Sequence, residues 1–202
     1  MTNLFHKARL ALPAVLLLSA CATSVAPVEV TRFHTPDPVP ASGGFLIEPM
    51  ITGGDSSMEF ITYAAAVSQE LQRVGFTDES GKQTFAASQY VVKMDVQRNV
   101  QSPYSNRSPV SVGVGGSTGS YGSGLGLGIG IDLSGKPKDI VTTSLAVQIR
   151  KRADNSAIWE GRATTQAKDG SPAAQPGLAA AKLASALFSG YPGKSGETIT
   201  VK

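Results

Sequence analysis

The 202-residue chain is poor in the side chains that form reactive and metal-binding centres, since it has one cysteine, Cys21, and two histidines, His6 and His34. A single cysteine excludes an internal disulfide framework, so the stability of the fold must come from its core. A Ser-His-Asp type triad needs a partnered histidine, and a histidine metal site needs several. His34 lies beside a proline-rich loop and is interpreted as a lone surface residue.

The chain also lacks a long hydrophobic run. The apolar stretch Leu10–Leu18 is about half of the roughly 20 residues that a membrane-spanning helix needs, and no later segment is apolar enough. The stretch follows a short polar region with Lys7 and Arg9 and precedes small residues. This layout is typical of a secretory signal, and a permanent transmembrane anchor is the weaker interpretation.

The junction after the apolar stretch, Leu18-Ser19-Ala20-Cys21, resembles the lipobox of bacterial lipoproteins. The resemblance implies cleavage between Ala20 and Cys21, a thioether-linked diacylglycerol on Cys21, and an N-acyl chain such as palmitate on the new N-terminus. A thiolate is the nucleophile that such a modification requires. No cofactor, metal site or catalytic residue is predicted apart from this covalent lipid. The alternative is an unprocessed cysteine in a soluble leader.

Cleavage at this junction would change the charge and fix the compartment. It removes Lys7 and Arg9, so that 16 basic residues remain against 15 acidic ones and the net charge falls from +3 to +1. No nucleic-acid partner is therefore predicted. Ala22, rather than aspartate, follows Cys21, which resembles lipoproteins sorted to the cell outer membrane and implies a periplasm-facing chain. The outer membrane and an envelope protein are the expected partners, and the sequence gives no signal for the oligomeric state.

The predicted organisation is a signal peptide over 1–20, a lipidated tether over 21–27, and a single domain over 28–202. Alternating apolar residues predict strands at Val28–His34 and Gln89–Val100, and the short run Phe45–Ile47 predicts another. Apolar residues at helical spacing predict a helix over about Ser57–Val74. Asp55, Ser56 or Ser57 would cap this helix, and Gly75 would end it in a left-handed conformation.

Two alternating runs, 145–150 and 159–164, flank an Asp-Asn-Ser turn and predict a β-hairpin with Trp159 in the core. An Ala- and Leu-rich helix is expected from about Ala173 or Gly177 to Ser189, followed by a strand at Thr198–Val201. Together these elements predict an α+β fold with a mainly antiparallel sheet, two helices packed on one face, and a long glycine-rich insertion between the central strands.

The glycine-rich insertion, at about 101–139, holds ten glycines between Gly113 and Gly135. Three interpretations stay open. The first is a flexible insertion. The second is a hairpin that extends the flanking strands, because Gly124–Ile131 alternates glycine with aliphatic residues and gives a strand one bare face. The third is a lipid-facing or oligomer-forming hairpin, since its length is close to the roughly 9 to 11 residues of a membrane strand.

Enzyme motifs are absent when their spacings are counted. The glycines from Gly113 onward do not reproduce the dinucleotide-binding spacing, and Gly193-Lys194-Ser195 has Phe188 where a phosphate-binding loop needs its first glycine. Asp95 and Glu160 are interpreted as solvated carboxylates on polar strand faces. The chain is therefore predicted not to be an enzyme.

Taken in order, the motifs of the mature chain resemble those of the bacterial envelope lipoproteins grouped as domain of unknown function 4136. The matching stretches are GGFLIEP (43–49), LQRVGF (71–76), ASQYVVKMDV (87–96), NSAIWEGRA (155–163) and LFSGYPGKSGETITV (187–201). The resemblance implies an outer-membrane-anchored α+β domain with no catalytic residues to carry over.

The leading hypothesis is a non-catalytic, lipid-anchored periplasmic module for envelope assembly or maintenance, or for binding an envelope partner. Two alternatives remain. One is an oligomeric or membrane-associated structural lipoprotein that uses the glycine-rich hairpin. The other is a protein that binds a lipid or another small apolar ligand between its sheet and helices.

Overall fold

A seven-stranded sheet and two helices form the centre of this computed structural model, which describes residues 26–36, 38–51, 57–81, 88–103, 110–119, 122–131 and 138–202. The elements in chain order are β1 (Val28–His34), β2 (Gly43–Pro49), α1 (Met58–Arg73), β3 (Phe76–Asp78), β4 (Tyr90–Gln101), β5 (Val110–Gly119), β6 (Gly122–Ile131), β7 (Ile140–Lys151), β8 (Ala157–Lys168), a short 3-10 helix (Pro172–Ala174), α2 (Pro176–Phe188) and β9 (Thr198–Val201).

The sheet is mixed, with the strand order β3-β2-β4-β7-β8-β1-β9. β2 runs parallel to both of its neighbours, β3 and β4, and the other four pairings are antiparallel. The α+β class with two helices is confirmed, whereas the prediction of a mainly antiparallel sheet is wrong. The reason is that α1 carries the chain back from the end of β2, so that β3 runs in the same direction as β2. β3 has no signal in the sequence that predicted it.

Helix α1 begins and ends where its sequence signals predict. Ser57 is the N-cap, and its Oγ accepts a hydrogen bond from the Phe60 backbone N at 3.1 Å. Gly75 follows the helix with a φ of +115°. A Cβ at this position would overlap the Ala41 carbonyl oxygen. Only glycine therefore allows the chain to turn so closely into β3.

Both helices pack on one face of the sheet. Buried residues of α1 (Tyr63, Val67 and Leu71) and of α2 (Leu183 and Leu187) share one hydrophobic cluster with residues of β4, β7 and β8. In β7 every second side chain is buried, which is the period-two pattern of a strand covered on one face. Trp159 on β8 is 1% exposed, so its predicted core position is confirmed.

The two ends of this sheet carry different structures. β1 begins, β4 ends and β7 begins at the same end of the sheet, where Gln101 pairs with Ile140. We call this end the upper end. Both helices also begin toward it. The lower end holds the turn between β7 and β8 and the last residues of both helices. β5 and β6 pair with each other antiparallel as a separate two-stranded sheet within the connection from β4 to β7. The segments that join this hairpin to β4 and β7, 104–109 and 132–137, lie outside the described residues.

Candidate functional site

The two residues predicted to be processed, Ala20 and Cys21, lie outside the described residues. Lipidation and cleavage therefore stay predictions. The described chain begins at Ala26, five residues after Cys21, and it enters the fold at the upper end.

Two contacts hold the beginning of the described chain against the domain. Thr165 Oγ1 donates a hydrogen bond to the Pro27 carbonyl oxygen at 3.0 Å, and Lys182 Nζ donates to the Ala26 carbonyl oxygen. Burial lowers the pKa of Lys182. Any segment that precedes residue 26 therefore leaves the domain from a fixed point at the upper end.

The same end carries most of the exposed apolar side chains. Six large hydrophobic residues are exposed among those whose burial the structure describes, and five of them lie toward the upper end. We call these five the upper apolar set: Ile51, Met58, Ile61, Val100 and Leu178. Met58 and Ile61 are in the first turn of α1, Leu178 is in the first turn of α2, and Val100 is at the end of β4.

A pocket of about 260 Å³ lies beside this set, where the end of β2 and the start of α1 meet β4. Its lining includes Met50, Phe60 and two carboxylates, Glu59 and Asp95. Within the described part of the chain, Glu59 Oε1 is buried without a hydrogen-bond partner. Burial first, and then the charge of Glu59, raises the pKa of neighbouring Tyr63 to about 12. The lining also includes Ser57, whose Oγ accepts the N-cap hydrogen bond from the Phe60 backbone N.

The other polar residues weighed in the sequence analysis make ordinary surface contacts. Gln97 Nε2 donates to Asp95 at 2.9 Å, and Gln148 Nε2 donates to Glu160 at 3.1 Å. His34 Nδ1 lies 2.8 Å from the Thr35 carbonyl oxygen. In the described ranges, no group of three or more His, Cys, Asp or Glu residues could hold a metal ion. Of the helices described, none is long and apolar enough to cross a membrane.

The lower end is closed by a cluster of aromatic rings. We call this the aromatic cluster: Phe45, Phe76, Tyr90, Trp159, Phe188 and Tyr191. Trp159 stacks on Phe188 with ring centroids 5.3 Å apart, and Phe76 makes T-shaped contacts with three other rings. Edge-to-face and offset geometries are the favourable ones for aromatic pairs. Trp159 Nε1 donates to the Pro192 carbonyl oxygen and Tyr191 Oη donates to that of Pro40, each at 3.0 Å, so the polar atom of each ring is satisfied.

A buried arginine ties the end of α2 to the sheet beside this cluster. Arg32 on β1 is 5% exposed. Its Nε donates to the Leu187 carbonyl oxygen and its Nη2 to that of Ala186, both at 2.9 Å. The last carbonyls of a helix lack partners within the helix and carry partial negative charge, which a cation stabilises. Burial lowers the pKa of Arg32, and the two charge-assisted bonds offset part of that desolvation.

The face of the sheet opposite the helices presents polar side chains and one exposed ring. On this face Lys93 Nζ lies 2.8 Å from Glu48 Oε2. Phe33 on β1 pairs in register with Glu160 and is 49% exposed. An exposed aromatic ring among polar residues is a common feature of protein-binding surfaces.

The fold and these surfaces define an α+β domain in which the sheet and both helices share one hydrophobic core. The chain belongs to the family described as Domain of unknown function (DUF4136), whose profile matches residues 34–193. A relative in Zymomonas mobilis subsp. mobilis, "Uncharacterized protein ZMO1243", is 31% identical over 217 aligned positions, which cover 87% of this chain and 80% of that protein.

Two solved structures show a weak likeness to the chain. A PDZ domain protein from Parabacteroides distasonis aligns with 87% of this chain at 11% identity and a TM-score of 0.48, and the chain spans 39% of its length. A PelC dodecamer from Paraburkholderia phytofirmans aligns at 11% identity and a TM-score of 0.43, over 80% of this chain and 95% of the PelC chain.

The five family-like motifs meet in the aromatic cluster. GGFLIEP contributes Phe45, LQRVGF contributes Phe76, ASQYVVKMDV contributes Tyr90, NSAIWEGRA contributes Trp159, and the last motif contributes Phe188 and Tyr191. Each motif is recognisable in the sequence, and Trp159 was predicted in the core, but no sequence signal placed the six rings together. Their positions span more than a hundred residues, and only the strand order brings them to one end of the sheet.

Proposed function

We propose that the chain is a non-catalytic lipoprotein, anchored in the outer membrane through lipid on Cys21 and facing the periplasm. The observation that carries this proposal is the sequence Leu18-Ser19-Ala20-Cys21 directly after a signal-like apolar stretch. Small residues before the cysteine suit peptidase cleavage, and the cysteine thiolate is the group that accepts the lipid.

The position of Ala26 supports anchoring at close range. Ala26 is five residues after Cys21, and an extended chain reaches at most about 3.6 Å per residue, which is about 18 Å in all. Because the backbone at Ala26 and Pro27 is bonded to Lys182 and Thr165, the tether cannot lengthen at this point without breaking those contacts. A lipid on Cys21 would hold the upper end of the domain near the membrane surface.

The proposed role is to bind an envelope partner rather than to transform a substrate. Support comes from Asp95, Glu160 and His34, which contact amide or carbonyl groups, and from the open sheet face around Phe33. The pocket at the upper end gives little support to the alternative of a small apolar ligand, because ligand pockets commonly measure about 300–1,000 Å³. The pocket at the upper end measures about 260 Å³ and is lined by two carboxylates.

Metabolic labelling with palmitate in a bacterial host tests the anchor. The wild-type chain should incorporate label and sediment with outer membranes, whereas Cys21→Ala should lose both properties. Ala22→Ser is the matched control next to the cysteine and should be labelled like the wild type. If Cys21→Ala still incorporates palmitate, or stays in the membrane fraction as the wild type does, the proposal is wrong.

Photo-crosslinking in cells tests the partner-binding role. A photoreactive phenylalanine analogue at Phe33 should give a discrete crosslinked species, and the same analogue at Gln166, on the same sheet face farther along β8, maps its extent. The control position is Gln69, an exposed residue of α1 on the helix side of the sheet. Equal yields at Phe33 and Gln69 would argue against a partner on the open face.

A further inference from the structure

We propose that the open edge of β9 binds an extended segment of an envelope protein, which adds to the sheet as a further strand. The proposal rests on the partner-binding role proposed above and deepens it, because it names the chemistry that recognises the partner. Strand addition uses the backbone amides of the partner for affinity and its alternate side chains for specificity.

β9 lies at one edge of the sheet, and among the described residues it pairs only with β1. The loop that precedes β9 already occupies the remaining edge of β1. The Gly196 backbone N donates to the Arg32 carbonyl oxygen at 2.8 Å, and the His34 backbone N donates to Ser195 Oγ at 3.1 Å. A strand that adds to this side of the sheet must therefore pair with β9 itself.

The hydrogen bonds of β1 show which of its residues face β9. In an antiparallel ladder, residue pairs that exchange backbone hydrogen bonds alternate with pairs that do not. Thr35, which directly follows β1, donates its backbone N–H to the Ile158 carbonyl oxygen of β8 at 3.1 Å. Arg32 and His34 bond instead to the loop before β9. Even-numbered residues of β1 therefore bond toward β9, and odd-numbered residues bond toward β8.

The same alternation fixes the direction of the backbone groups of β9. Val30 pairs with Ile199, and these two residues exchange hydrogen bonds. Thr31 pairs with Thr198 without such bonds. The Thr31 and Thr198 hydroxyl oxygens lie 2.7 Å apart, which fits the closer side chains of a pair of this kind. The backbone N–H and C=O groups of Thr198 and Thr200 consequently point away from β1, toward the open edge.

The residues of β9 suit pairing with another strand. All four, Thr-Ile-Thr-Val, are β-branched, and β-branched side chains fit a pleated surface. Charged residues, prolines and bulges commonly protect an edge strand, and positions 198–201 carry no charge and no proline. Thr198 and Thr200 are exposed, while Ile199 and Val201 pack partly against the core. The edge is therefore accessible, and its length matches a short partner segment.

The open edge adjoins the exposed ring of Phe33. Thr198 pairs with Thr31, and Phe33 lies two residues farther along β1 on the same face. Gly196 lies beside the ring, and a Cβ added there would be 4.0 Å from Phe33 Cε1. Because glycine has no side chain, the ring stays open on the side of β9. The partner segment should therefore carry an apolar residue that reaches Phe33.

A second copy of this chain is the competing occupant, since open edges can pair between molecules. A symmetric pair of β9 strands would run antiparallel, which inverts one copy relative to the other. The inverted copy would place its lower end toward the membrane, and β7, with 12 residues, spans about 40 Å. The proposed tether of about 18 Å cannot reach past it. A partner segment has no such constraint and is the favoured occupant.

Photo-crosslinking of the full chain in cells, with the photoreactive phenylalanine analogue at Phe33, provides the test. Thr200→Pro is introduced into the same chain because it removes an N–H that points outward, and proline is tolerated at an edge position whose N–H faces solvent. Thr200→Val is the matched control, since it keeps the N–H and the β-branched shape. The urea midpoint of unfolding is measured for both variants, so that a folding defect is recognised.

The proposal expects Thr200→Pro to lower the yield of the crosslinked species about fivefold or more, with Thr200→Val close to the wild type. Equal yields in both variants and the wild type would overturn strand addition and leave partner binding intact. An equal loss in both variants would assign the contact to the Thr200 hydroxyl and overturn strand addition as well.

Two further outcomes separate the partner from its alternatives. A yield at Phe33 no higher than that at Gln69 in the otherwise wild-type chain would contradict partner binding itself. A crosslinked species that contains only this chain, identified by mass spectrometry, would assign the edge to a second copy and overturn the proposal.

A second pair of variants tests the direction of the backbone groups without any partner. Ile199→Pro removes an N–H that bonds to β1, whereas Thr200→Pro removes one that points outward. Thr200→Pro should therefore keep the urea midpoint of the wild type, and Ile199→Pro should lower it. Equal midpoints for the two variants would contradict the direction assigned to Thr200, and the proposal would fail with it.

Discussion

The two ends of the sheet differ in the exposure of their large apolar side chains. At the lower end, six aromatic rings from five separated stretches pack together, and Arg32 closes the end of α2 over them. At the upper end, five large apolar side chains are exposed, and the chain continues into a glycine-rich hairpin. The same sheet thus supports a closed core at one end and an apolar surface at the other.

This difference indicates that the two ends of the sheet contribute differently to stability. Burial of apolar surface stabilises the fold, and the aromatic cluster supplies it where the helices end. Exposed apolar groups contribute little to stability and are common where a protein meets a partner or a membrane. Substitutions at the lower end should therefore change the free energy of unfolding, whereas those at the upper end should change it little.

The largest effect is expected at Trp159. Trp159→Ala removes the ring stacked on Phe188 and leaves a cavity, and we expect a loss of about 3–5 kcal/mol in the free energy of unfolding. Trp159→Phe keeps an aromatic ring but loses the hydrogen bond to Pro192, and should cost less. Urea unfolding followed by circular dichroism measures both, because the chain has no other tryptophan to report by fluorescence. A cost for Trp159→Ala near that of a surface substitution would contradict the closed lower end.

Arg32 should have the next largest effect. Arg32→Met keeps the length and apolar stem of the side chain but leaves the Ala186 and Leu187 carbonyls without their donors, and we expect a loss of about 2–3 kcal/mol. Arg32→Lys keeps the charge near the helix end but cannot reproduce the two-pronged contact, and its cost should be intermediate. The urea midpoints of the two variants check this order. If Lys and Met are equally costly, the charge at the end of α2 contributes nothing measurable.

Gly161 tests how tightly the lower end is packed. A Cβ at Gly161 would lie 2.6 Å from the Trp159 ring and 2.7 Å from Leu187 Cδ1. Gly161→Ala should therefore destabilise the fold by about 1–3 kcal/mol through overpacking. Gly177→Ala in α2 is the control, because nothing lies within 4 Å of its Cβ position, and it should be neutral or stabilise by about 0.4–1 kcal/mol. Thermal unfolding of both variants measures the contrast.

Tyr191 should make the lower end sensitive to alkaline pH. Burial raises the pKa of Tyr191 above its usual value, as it raises that of Tyr63 to about 12. The neutral phenol is thus favoured in the folded state, and its contribution is fully present below the unfolded pKa of about 10 and is lost as the pH rises through the folded value.

Tyr191→Phe removes one of these two groups and the hydrogen bond to Pro40, at a cost of about 1 kcal/mol near neutral pH. Its free energy of unfolding should then fall less steeply than that of the wild type from about pH 10 upward. Urea unfolding at stepped pH compares the slopes. Parallel curves would mean that Tyr191 does not ionise on unfolding in this range.

The sequence predicted local structure well because its signals are local. The periodicity of 57–74 with Ser57 and Gly75 predicted α1 nearly to its ends, and the alternation of β1, β4 and β9 predicted those strands. The parallel strand β3 could not be predicted, because three residues are too few to show a periodicity. Its pairing with β2 also depends on the direction in which α1 carries the chain. The aromatic cluster could not be predicted either, because pairings between distant segments bring its rings together.

The candidate site likewise has a part that a local motif predicts and a part that only the fold brings together. The lipobox at Cys21 is a local motif and could be recognised from the sequence, although it lies outside the described residues. The clustering of Met58, Val100 and Leu178 toward one end depends on where helices and strands begin in space. No spacing along the chain relates these three residues, so the upper apolar set could emerge only from the fold.

The smallest effect on stability is expected at Leu178 in α2, and Leu183 of the same helix serves as the buried comparison. Leu178 is 54% exposed in the first turn, while Leu183 is fully buried one and a half turns later. Leu178→Ala should change the free energy of unfolding by less than about 0.5 kcal/mol, and Leu183→Ala should lower it by about 2–5 kcal/mol. Urea unfolding measures both. Because the two variants share a helix and a substitution, intrinsic helix propensity cancels, and the remaining difference reports burial alone. A cost at Leu178 comparable to that at Leu183 would mean that the first turn of α2 belongs to the core, and the upper end would not then be an exposed apolar surface.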